Sequence, residues 1–339
     1  SPRAYSWTRP GLSSWGDDIT SAIILLMILV TGATGFIGRV LVRQLTETGQ
    51  RVRVLLRPSP RSPRLPKGVP VEVAVVALND ERGLRAALRG VDQIYHLASA
   101  ASHGRDGSLF TTDIEGTRTL AQVAAGAEVE RLIYLSHLGA DRASAFPVHK
   151  AKGIAEEHIR KSGVRHTIIR SSIVFGPEDG FTTSLAEILR FAPGILPIPG
   201  DGRTLLQPLW VEDLVTCLIW TLQNPSTVNQ TYEVGGGEYF TLRQVFETIM
   251  DVTHTRRLLV PFPPPYMRAL VVLLDSFARR LGASTYWIDY TAVNRTCPVD
   301  NLPRTFGLMP ARFAYRINYL ERKPLLQRIQ EALRSPRQT

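Results

Sequence analysis

The first regular hydrophobic pattern of the chain begins with an unbroken run of apolar residues. Residues 23–30 are all apolar and mostly aliphatic, which is typical of a strand buried on both faces of a parallel sheet. Beyond a glycine-rich turn, Val40, Leu41 and Leu45 recur at helical spacing, and a second apolar strand is predicted over Val52–Leu56. The pattern therefore predicts a strand, a turn, a helix and a second parallel strand.

The turn in this unit has a glycine spacing that suits phosphate binding. Gly32 permits a tight turn, Gly35 lets the backbone approach a pyrophosphate, and Gly38 lets the helix pack on the strand. The helix N-terminus also offers unpaired N–H groups to phosphate. A purely structural turn is the alternative. The predicted phosphate ligands are Gly32, Thr34, Gly35, Phe36, Ile37 and Gly38.

Charge at the end of the second strand changes the expected cofactor. An acidic residue there would bind the 2′-hydroxyl of NAD, but Arg57 follows the strand and residues 51–67 contain no acid. We therefore predict NADP(H), with NAD(H) as second choice, Arg57 as the main 2′-phosphate ligand and Arg39 as a helper. A solvated basic loop is the alternative. The basic residues of this loop are Arg51, Arg53, Arg57, Arg61, Arg64 and Lys67.

Composition sets only broad limits. The 339 residues, 44% of them hydrophobic, suffice for one large core and a smaller lobe. A formal charge of +10 favours anionic partners, and no nucleic-acid partner is predicted. Cys217 and Cys297 lie far apart without nearby ligands, so neither a disulfide framework nor a metal site is predicted, and a reducing compartment fits best.

Several further segments resemble the extended short-chain dehydrogenases, which include epimerases and dehydratases, and they occur in that family's order. Within this family, the segments from residue 136 to residue 179 are similar to the nucleotide-binding accessory subunits of respiratory complex I. The segments that carry the resemblance are TGATGFIG (31–38), IYHLAS (94–99), GT (116–117), VERLIYLS (129–136), SHLGA (136–140), IIR (168–170), FGPED (175–179) and WVED (210–213).

The resemblance implies an α/β fold with a doubly wound parallel Rossmann sheet and a smaller C-terminal α+β lobe. We predict an N-terminal arm over 1–26, an NADP-binding domain over 27–231, and a small lobe and tail over 232–339. Within the second of these, 176–205 is expected to contribute to the small lobe. By the same resemblance, Ala98 and Ser99 lie beside the cofactor's ribose and pyrophosphate.

Active members of the family use a tyrosine as proton donor and a lysine four residues later, which lowers the tyrosine's pKa and holds the nicotinamide ribose. The best match to that lysine is Lys152, which puts Val148 at the tyrosine position; choosing Lys150 instead puts Phe146 there. Neither side chain transfers protons, and no tyrosine lies between residues 134 and 232. The resemblance therefore implies a degenerate catalytic site.

Two histidines are alternatives to the missing acid. The position that relatives give to a serine or threonine carries His137, with Ser136 beside it. His137 or His149 could act as a surrogate acid, although a single histidine near a strand end is more often structural. His96, inside an apolar strand, is interpreted as a core histidine.

A second apolar surface is predicted late in the chain. Over residues 266–281, Arg268, Asp275 and Arg279 share one helical stripe and nearly all other positions are apolar. The segment is too short to span a bilayer. It suits burial against a partner or a membrane headgroup region, or packing on the protein's own lobe.

Together these features favour an NADP(H)-binding accessory or assembly subunit of a membrane redox complex. It would lie peripherally on the cytoplasmic or matrix side, without a transmembrane helix, and contact subunits or acidic lipid through 1–26, 51–67 and 266–281. An active NAD(P)-dependent oxidoreductase or epimerase with a substitute acid is one alternative. An NADPH-sensing regulator is another.

Overall fold

The computed structural model describes residues 26–59, 65, 68–101, 108–277 and 285–321. Parts of the three predicted docking segments lie outside the described residues. These parts are 1–25, 60–64, 66–67 and 278–281.

The first predicted unit is confirmed. Strand β1 (Met27–Thr31) is buried along its whole length and lies between two layers, because Ile28 and Val30 face one core whereas Met27 and Leu29 face the other. This explains why its sequence shows no alternation. Helix α1 (Phe36–Glu47) follows the turn, and β2 (Arg51–Leu56) pairs in parallel with β1.

Seven strands form one fully parallel sheet, and three short pairs lie outside it. The remaining strands are β3 (Glu72–Val75), β4 (Gln93–His96), β5 (Arg131–His137), β6 (His166–Ser171), β7 (Val174–Phe175), β8 (Ile195–Pro199), β9 (Leu205–Leu206), β10 (Leu209–Trp210), β11 (Gln230–Val234), β12 (Phe240–Thr241) and β13 (Leu258–Phe262). The large sheet runs in the order β3-β2-β1-β4-β5-β6-β11. Its strand order reverses at β1, and ligands of such sheets bind beyond the carboxyl ends of the strands at that point.

Helices cover both faces of the sheet, as a doubly wound fold requires. The helices that follow α1 along the chain are α2 (Glu81–Ala87), α3 (Gly116–Gly126), α4 (Pro147–Lys161), α5 (Thr182–Phe191), α6 (Val211–Gln223), α7 (Leu242–Thr253), α8 (Pro264–Phe277), α9 (Thr285–Tyr290), α10 (Asn301–Phe306) and α11 (Phe313–Arg316). Leu41 of α1 and Leu214 of α6 pack on one face. Leu84, Leu120 and Ile159, from α2, α3 and α4, pack on the other.

A third core belongs to the small lobe. It joins aromatic and aliphatic side chains of α5, α7 and α11, among them Leu189, Phe246 and Phe313. Helix α7 begins with a capping box in which Thr241 Oγ1 accepts the Gln244 N–H at 3.2 Å. Such a cap stabilises a helix by about 1 kcal/mol.

The structure moves the boundary drawn between residues 231 and 232. Strand β11 pairs in parallel with β6, so Tyr232–Val234 belong to the large sheet rather than to the small lobe. Leu302 and Phe306 of α10 also pack into the core of the sheet domain. The chain therefore stays in the first domain up to Val234 and returns to it at α10, which a single boundary along the sequence does not capture.

The predicted late helix is present as α8. Met267 and Val271 are buried against Ile288 of α9, which favours packing on the protein's own lobe for this part of the helix. Arg268 Nη1 lies 2.6 Å from Asp289 Oδ1. Among the helices of the described ranges, none has the length and apolar character to cross a bilayer.

Candidate nucleotide and catalytic site

The turn after β1 is shaped by two glycines that have no room for a side chain. Gly32 has a φ of +73°, and a Cβ there would lie 2.7 Å from the backbone nitrogen of Ala98. A Cβ on Gly38 would lie 2.2 Å from the carbonyl oxygen of Gly32. The turn thus fits closely between the end of β4 and the first turn of α1, as the glycine spacing predicts.

The N-terminus of α1 is open to an anion. Its N-cap residue, Gly35, is exposed and supplies no side chain, and the first turn carries no acid. The first N–H groups of a helix lack intrahelical partners, so those of Phe36 and Ile37, together with the helix dipole, suit a pyrophosphate. The predicted phosphate ligands, including Thr34, lie together here, and their binding role stays a prediction.

A histidine braces the two strands beneath this turn. His96 is fully buried, with Nδ1 2.7 Å from Thr31 Oγ1 and Nε2 2.8 Å from Thr117 Oγ1. Thr31 Oγ1 also accepts the Ala98 N–H at 3.2 Å. Burial lowers the pKa of His96 to about 3, so the ring is neutral at pH 7. The interpretation of His96 as a core histidine is supported by these contacts.

Arg39 is engaged by a carboxylate. Its Nη2 lies 2.7 Å from Glu178 Oε2, so the pair joins α1 to the loop after β7. Glu178 is exposed and has a φ of +65°. Because an exposed ion pair contributes little stability, a phosphate could compete for Arg39, and its role as a helper stays a prediction. The pair borders a cleft of about 300 Å³ lined by Phe36, Arg39, Val40, Arg43, Pro177, Glu178, Trp210, Val211 and Glu212.

The basic residues of 51–67 lie on β2 and just beyond it, where the adenosine ribose is expected. Some of those that the structure describes are paired with a carboxylate and one is not. Arg51 Nη2 lies 3.1 Å and Arg53 Nη2 lies 2.7 Å from the carboxylate of Glu72 on β3. Arg57 is exposed just beyond β2, and no described residue forms an ion pair with it. Of the basic residues in this loop that the structure describes, Arg57 alone keeps an uncompensated charge. Arg61, Arg64 and Lys67 lie outside the described residues.

Lys152 is buried in α4 beside the carboxyl end of β5. Its Nζ lies 3.2 Å from Asp113 Oδ1, 3.4 Å from the Leu135 carbonyl oxygen and 5.0 Å from the centre of the Tyr134 ring. Asp113 sits in a π-helical turn (Phe110–Glu115), and its Oδ2 accepts the Ala100 N–H at 2.8 Å. The lysine charge is therefore compensated by a fully buried carboxylate.

The helix also decides between the two alignments of the lysine. Lys150 is exposed, whereas Lys152 and Val148 share the buried face of α4, one turn apart. Lys152 is thus the lysine that faces the end of β5, which favours the alignment that puts Val148 at the tyrosine position; that assignment stays a prediction.

Ser136 faces away from this site. Its Oγ donates to Glu156 Oε1 at 2.6 Å. Glu156 is fully buried and also accepts hydrogen bonds from Arg170 and Arg160, at 2.7 Å and 2.9 Å. Ser136 is therefore held in a structural network on α4, and the structure leaves His137 as the residue at the end of β5 that faces the site.

His137 lies in a set of rings that we call the aromatic cluster: His137, Phe146, His149, Tyr286 and Tyr290. Neighbouring ring centres are 5.9–6.4 Å apart. Burial and the charge of Lys152 lower the pKa of His137 well below its usual range. Burial and the charge of Arg295 lower that of His149 to about 3. Both imidazoles are therefore neutral at pH 7.

Sequence reasoning missed four residues of this site. Asp113 precedes Gly116 by three positions but gives no signal of its own. Tyr286 and Tyr290 reach His137 from α9, about 150 residues further along the chain. Arg295 follows in the next loop, with its Cζ 5.1 Å from the centre of the Phe146 ring. Only tertiary packing brings these residues to β5.

Comparison with known proteins agrees with this geometry. A family model described as NAD(P)H-binding matches residues 32–184. The chain is 32% identical over 276 residues to sterol demethylase protein B of Methylococcus capsulatus, covering 74% of this chain and 82% of that protein. The chain belongs to the extended short-chain dehydrogenase/reductase family. The resemblance to this family that the sequence motifs indicated is therefore confirmed.

Other members of the family differ widely in name. The chain is 29% identical to NADH dehydrogenase (ubiquinone) 1 alpha subcomplex subunit 9, a mitochondrial protein of Arabidopsis thaliana, covering 80% of this chain and 68% of that protein. It is 26% identical to ceramide reductase of Caulobacter vibrioides, covering 84% and 83%.

Solved structures agree on the fold. The UDP-glucose 4-epimerase of Thermotoga maritima superposes with a TM-score of 0.66 at 20% identity, covering 91% of this chain and 100% of that chain. The epimerase of Thermus thermophilus, in complex with NAD, gives 0.65 at 22% identity, covering 87% and 97%.

Proposed function

We propose that this family member binds NADP(H) mainly as a structural ligand and acts as an accessory subunit of a membrane redox complex. The observation that carries the first part is the replacement of the tyrosine by buried Val148, one turn before Lys152. Because Lys152 is already paired with Asp113, it also has less charge to offer a neighbouring hydroxyl.

The nearby candidates for a substitute acid have pKa values far from neutral pH. His137 and His149 are neutral at pH 7 because burial lowers the pKa of each. Burial raises the pKa of Tyr286 and Tyr290, which keeps both phenols protonated. A general acid or base works best with a pKa near the operating pH. These groups therefore support a site that holds a nucleotide without turning it over.

The preference for NADP(H) rests on the end of β2. Arg57 is exposed there, and residues 51–67 contain no acid that could bind a ribose hydroxyl. Since Glu72 compensates Arg51 and Arg53, the proposal assigns the 2′-phosphate chiefly to Arg57. A guanidinium suits that group because it is always charged and offers several donors.

The accessory role is supported by relatives and by surface chemistry. Relatives named as subunits of NADH dehydrogenase (ubiquinone) occur in Arabidopsis thaliana and Dictyostelium discoideum. The small lobe also exposes apolar side chains on neighbouring strands: Ile195 on β8 is in register with Leu258 on β13, and each is more than half exposed. Arg256 and Arg257 directly precede Leu258. An apolar patch with basic neighbours suits an acidic subunit surface or headgroup region.

An active reductase is the second candidate. It is favoured by the relative named ceramide reductase and by the approach of Tyr286 to His137, with ring centres 6.2 Å apart. In that case the tyrosine of α9 would take the place of the one missing from α4.

Purification from native membranes distinguishes the two. We expect the chain to retain stoichiometric NADP(H), to migrate with membrane subunits on native gels, and to oxidise no NADPH with 3-oxo lipid or sugar-nucleotide substrates. A soluble monomer that turns over NADPH, and loses this activity in Tyr286→Phe, would favour the reductase.

The docking surface is tested separately by membrane fractionation. Ile195→Thr with Leu258→Glu should move the protein from the pellet to the supernatant. The matched control, Val73→Thr with Val75→Glu, alters equally exposed positions on the edge strand β3 and should leave it in the pellet. Equal behaviour of the two pairs would exclude this patch.

A further inference from the structure

Arg295 is a buried cation without a compensating charge. Only 6% of the residue is exposed, and no carboxylate of the described residues lies within 4.0 Å of it. Its Nε donates to the Tyr290 carbonyl oxygen at 3.2 Å and its Nη2 to that of Asp289 at 3.4 Å. The Asp289 carboxylate pairs instead with Arg268, at 2.6 Å.

The unused edge of this guanidinium points toward the catalytic side of the sheet. Its Nη1 lies 2.8 Å from where a Cβ on Gly139 would be, and His149 Cδ2 lies 3.7 Å from the same point. Gly139, with a φ of +78°, forms the turn after β5. Nη1 is therefore directed between this turn and α4, where it has no hydrogen-bond acceptor among the described residues.

The groups around Nη1 are polar and unpaired as well. His149 is 1% exposed, and neither ring nitrogen has a hydrogen-bond partner within the described part of the chain. The same holds for Nδ1 of His137 and for the Tyr290 hydroxyl. A buried polar group is destabilising while it stays unpaired. The rings of His137 and Tyr290 have their centres 6.2 Å and 5.9 Å from that of His149, so the unpaired groups form one cluster, which indicates a binding site rather than separate defects.

We propose that Arg295 and His149 bind the carboxylate of a small molecule with an apolar body, beside the position of the missing tyrosine. Nη1 supplies charge and donors, and one ring N–H of His149 supplies another. The rings of Phe146 and Tyr290 flank the guanidinium, with centres 5.1 Å and 5.5 Å from Cζ, and provide apolar walls.

The charge of the site selects a monoanion. Lys152 is compensated by Asp113, and both histidines are neutral, so Arg295 contributes the single unbalanced positive charge among the described groups facing this point. A dianionic phosphate would leave one negative charge buried and unpaired, which is unfavourable. This site goes beyond nucleotide binding and does not depend on the accessory role.

Calorimetric titration of the full, NADPH-loaded chain tests the site with three probes of similar shape. These are hexanoate, hexanamide and hexyl phosphate. Because a charge-assisted hydrogen bond is worth about 1.5–3 kcal/mol, hexanoate should bind at least about tenfold more tightly than hexanamide. It should also bind more tightly than hexyl phosphate. This comparison on the wild type needs no substitution that could perturb folding.

Two variants locate the effect. Arg295→Met keeps the apolar stem and should abolish the preference for hexanoate over hexanamide, and His149→Phe should reduce it. Arg268→Met removes an arginine from the neighbouring surface pair and should leave the preference intact. NADPH content, followed by absorbance, should not change in any variant, which separates failure of this site from failure of the nucleotide site.

Equal affinity for hexanoate and hexanamide in the wild type would overturn the proposal. Tighter binding of hexyl phosphate would overturn the assignment of a monoanion. If Arg295→Met folds and keeps the full preference, the carboxylate binds elsewhere and Arg295 is only structural.

Discussion

Two regions lie at the same edge of one sheet: the nucleotide end around the turn after β1, and the region around His137, His149 and Arg295, which we call the substrate side. They differ in whether their buried polar groups have hydrogen-bond partners. Beneath the phosphate turn, both nitrogens of His96 meet threonine hydroxyls. On the substrate side, both ring nitrogens of His149 on α4 lack hydrogen-bond partners among the described residues. The two histidines share burial and a pKa lowered to about 3, but only the first belongs to a completed network.

This difference separates a scaffold from a site. A polar group that is fully satisfied within the protein holds its surroundings in one arrangement, as His96 does for the ends of β1 and β4. Buried groups without a hydrogen-bond partner, such as Nη1 of Arg295 and the ring nitrogens of His149, are destabilising until a ligand pairs with them. The substrate side therefore carries a cost in stability that the nucleotide end does not.

The largest expected effect concerns the buried ion pair of Lys152 and Asp113. Lys152→Met leaves the Asp113 carboxylate buried without its cation, since the two side chains are 3% and 0% exposed. Breaking a buried pair costs about 3–5 kcal/mol, so the free energy of unfolding, measured with urea, should fall by that amount. NADPH retention should also weaken.

The double variant Lys152→Met with Asp113→Asn separates charge from packing. It removes both ions, keeps an acceptor for the Ala100 N–H, and should recover most of the lost stability. If the double variant is as unstable as the single one, the pair matters for its packing rather than for its charge.

Next in size is a change at the nucleotide end. In Gly38→Ala the new Cβ would lie 2.2 Å from the Gly32 carbonyl oxygen, so α1 must move away from β1. We expect a loss of about 3 kcal/mol in unfolding free energy and no measurable NADPH binding by calorimetry. Gly126→Ala, in α3 with open space around its Cβ position, is the matched control. Nucleotide binding by Gly38→Ala would show that the turn tolerates displacement.

The strand, turn and helix of the nucleotide end could be predicted because their sequence signals are local. The glycines of the turn are adjacent in the chain and in space, and the apolar run of β1 reflects burial on both faces. The same locality led to the apolar residue at the tyrosine position, since Val148 and Lys152 share one helix.

The substrate side could not be predicted because its parts come from distant segments. Arg295 reaches Gly139 only through the packing of α9 and its following loop on the sheet domain, and the partner of Ser136 is buried Glu156 rather than a ligand. The place of β11 in the sheet could not be predicted for the same reason, since this strand pairs with β6 after a long connection. No sequence pattern records such contacts.

An acid titration sharpens the contrast between the two histidines. His149 has a pKa of about 3 in the folded protein and about 6.5 when unfolded. Its neutral form therefore supports full stability above pH 6.5, and this contribution is lost as the pH falls towards 3, by about 1.4 kcal/mol per pH unit. His149→Phe should gain about 2 kcal/mol relative to wild type between pH 6.5 and pH 5. The free energy of unfolding of both proteins is measured with urea at each pH. A constant difference between wild type and His149→Phe across this pH range would contradict the prediction.

The smallest expected effect concerns the cofactor preference at the nucleotide end. Arg57 is exposed, so its bond to a 2′-phosphate should be worth about 1.5 kcal/mol, at the lower end for a charged hydrogen bond, and should weaken with salt. Arg57→Ala should therefore lower the affinity for NADPH about tenfold while leaving that for NADH and the unfolding free energy unchanged.

The matched control for Arg57 lies on the same strand. Arg51 is also exposed but already pairs with Glu72, so Arg51→Ala should leave the ratio of NADPH to NADH affinity as it is in the wild type. Calorimetric titration at low and high salt measures both ratios. Equal affinity of the wild type for the two cofactors would remove the preference altogether. If the ratio of NADPH to NADH affinity falls equally in both variants, the loop attracts phosphate through its total charge. Arg57 then has no special role at the end of β2.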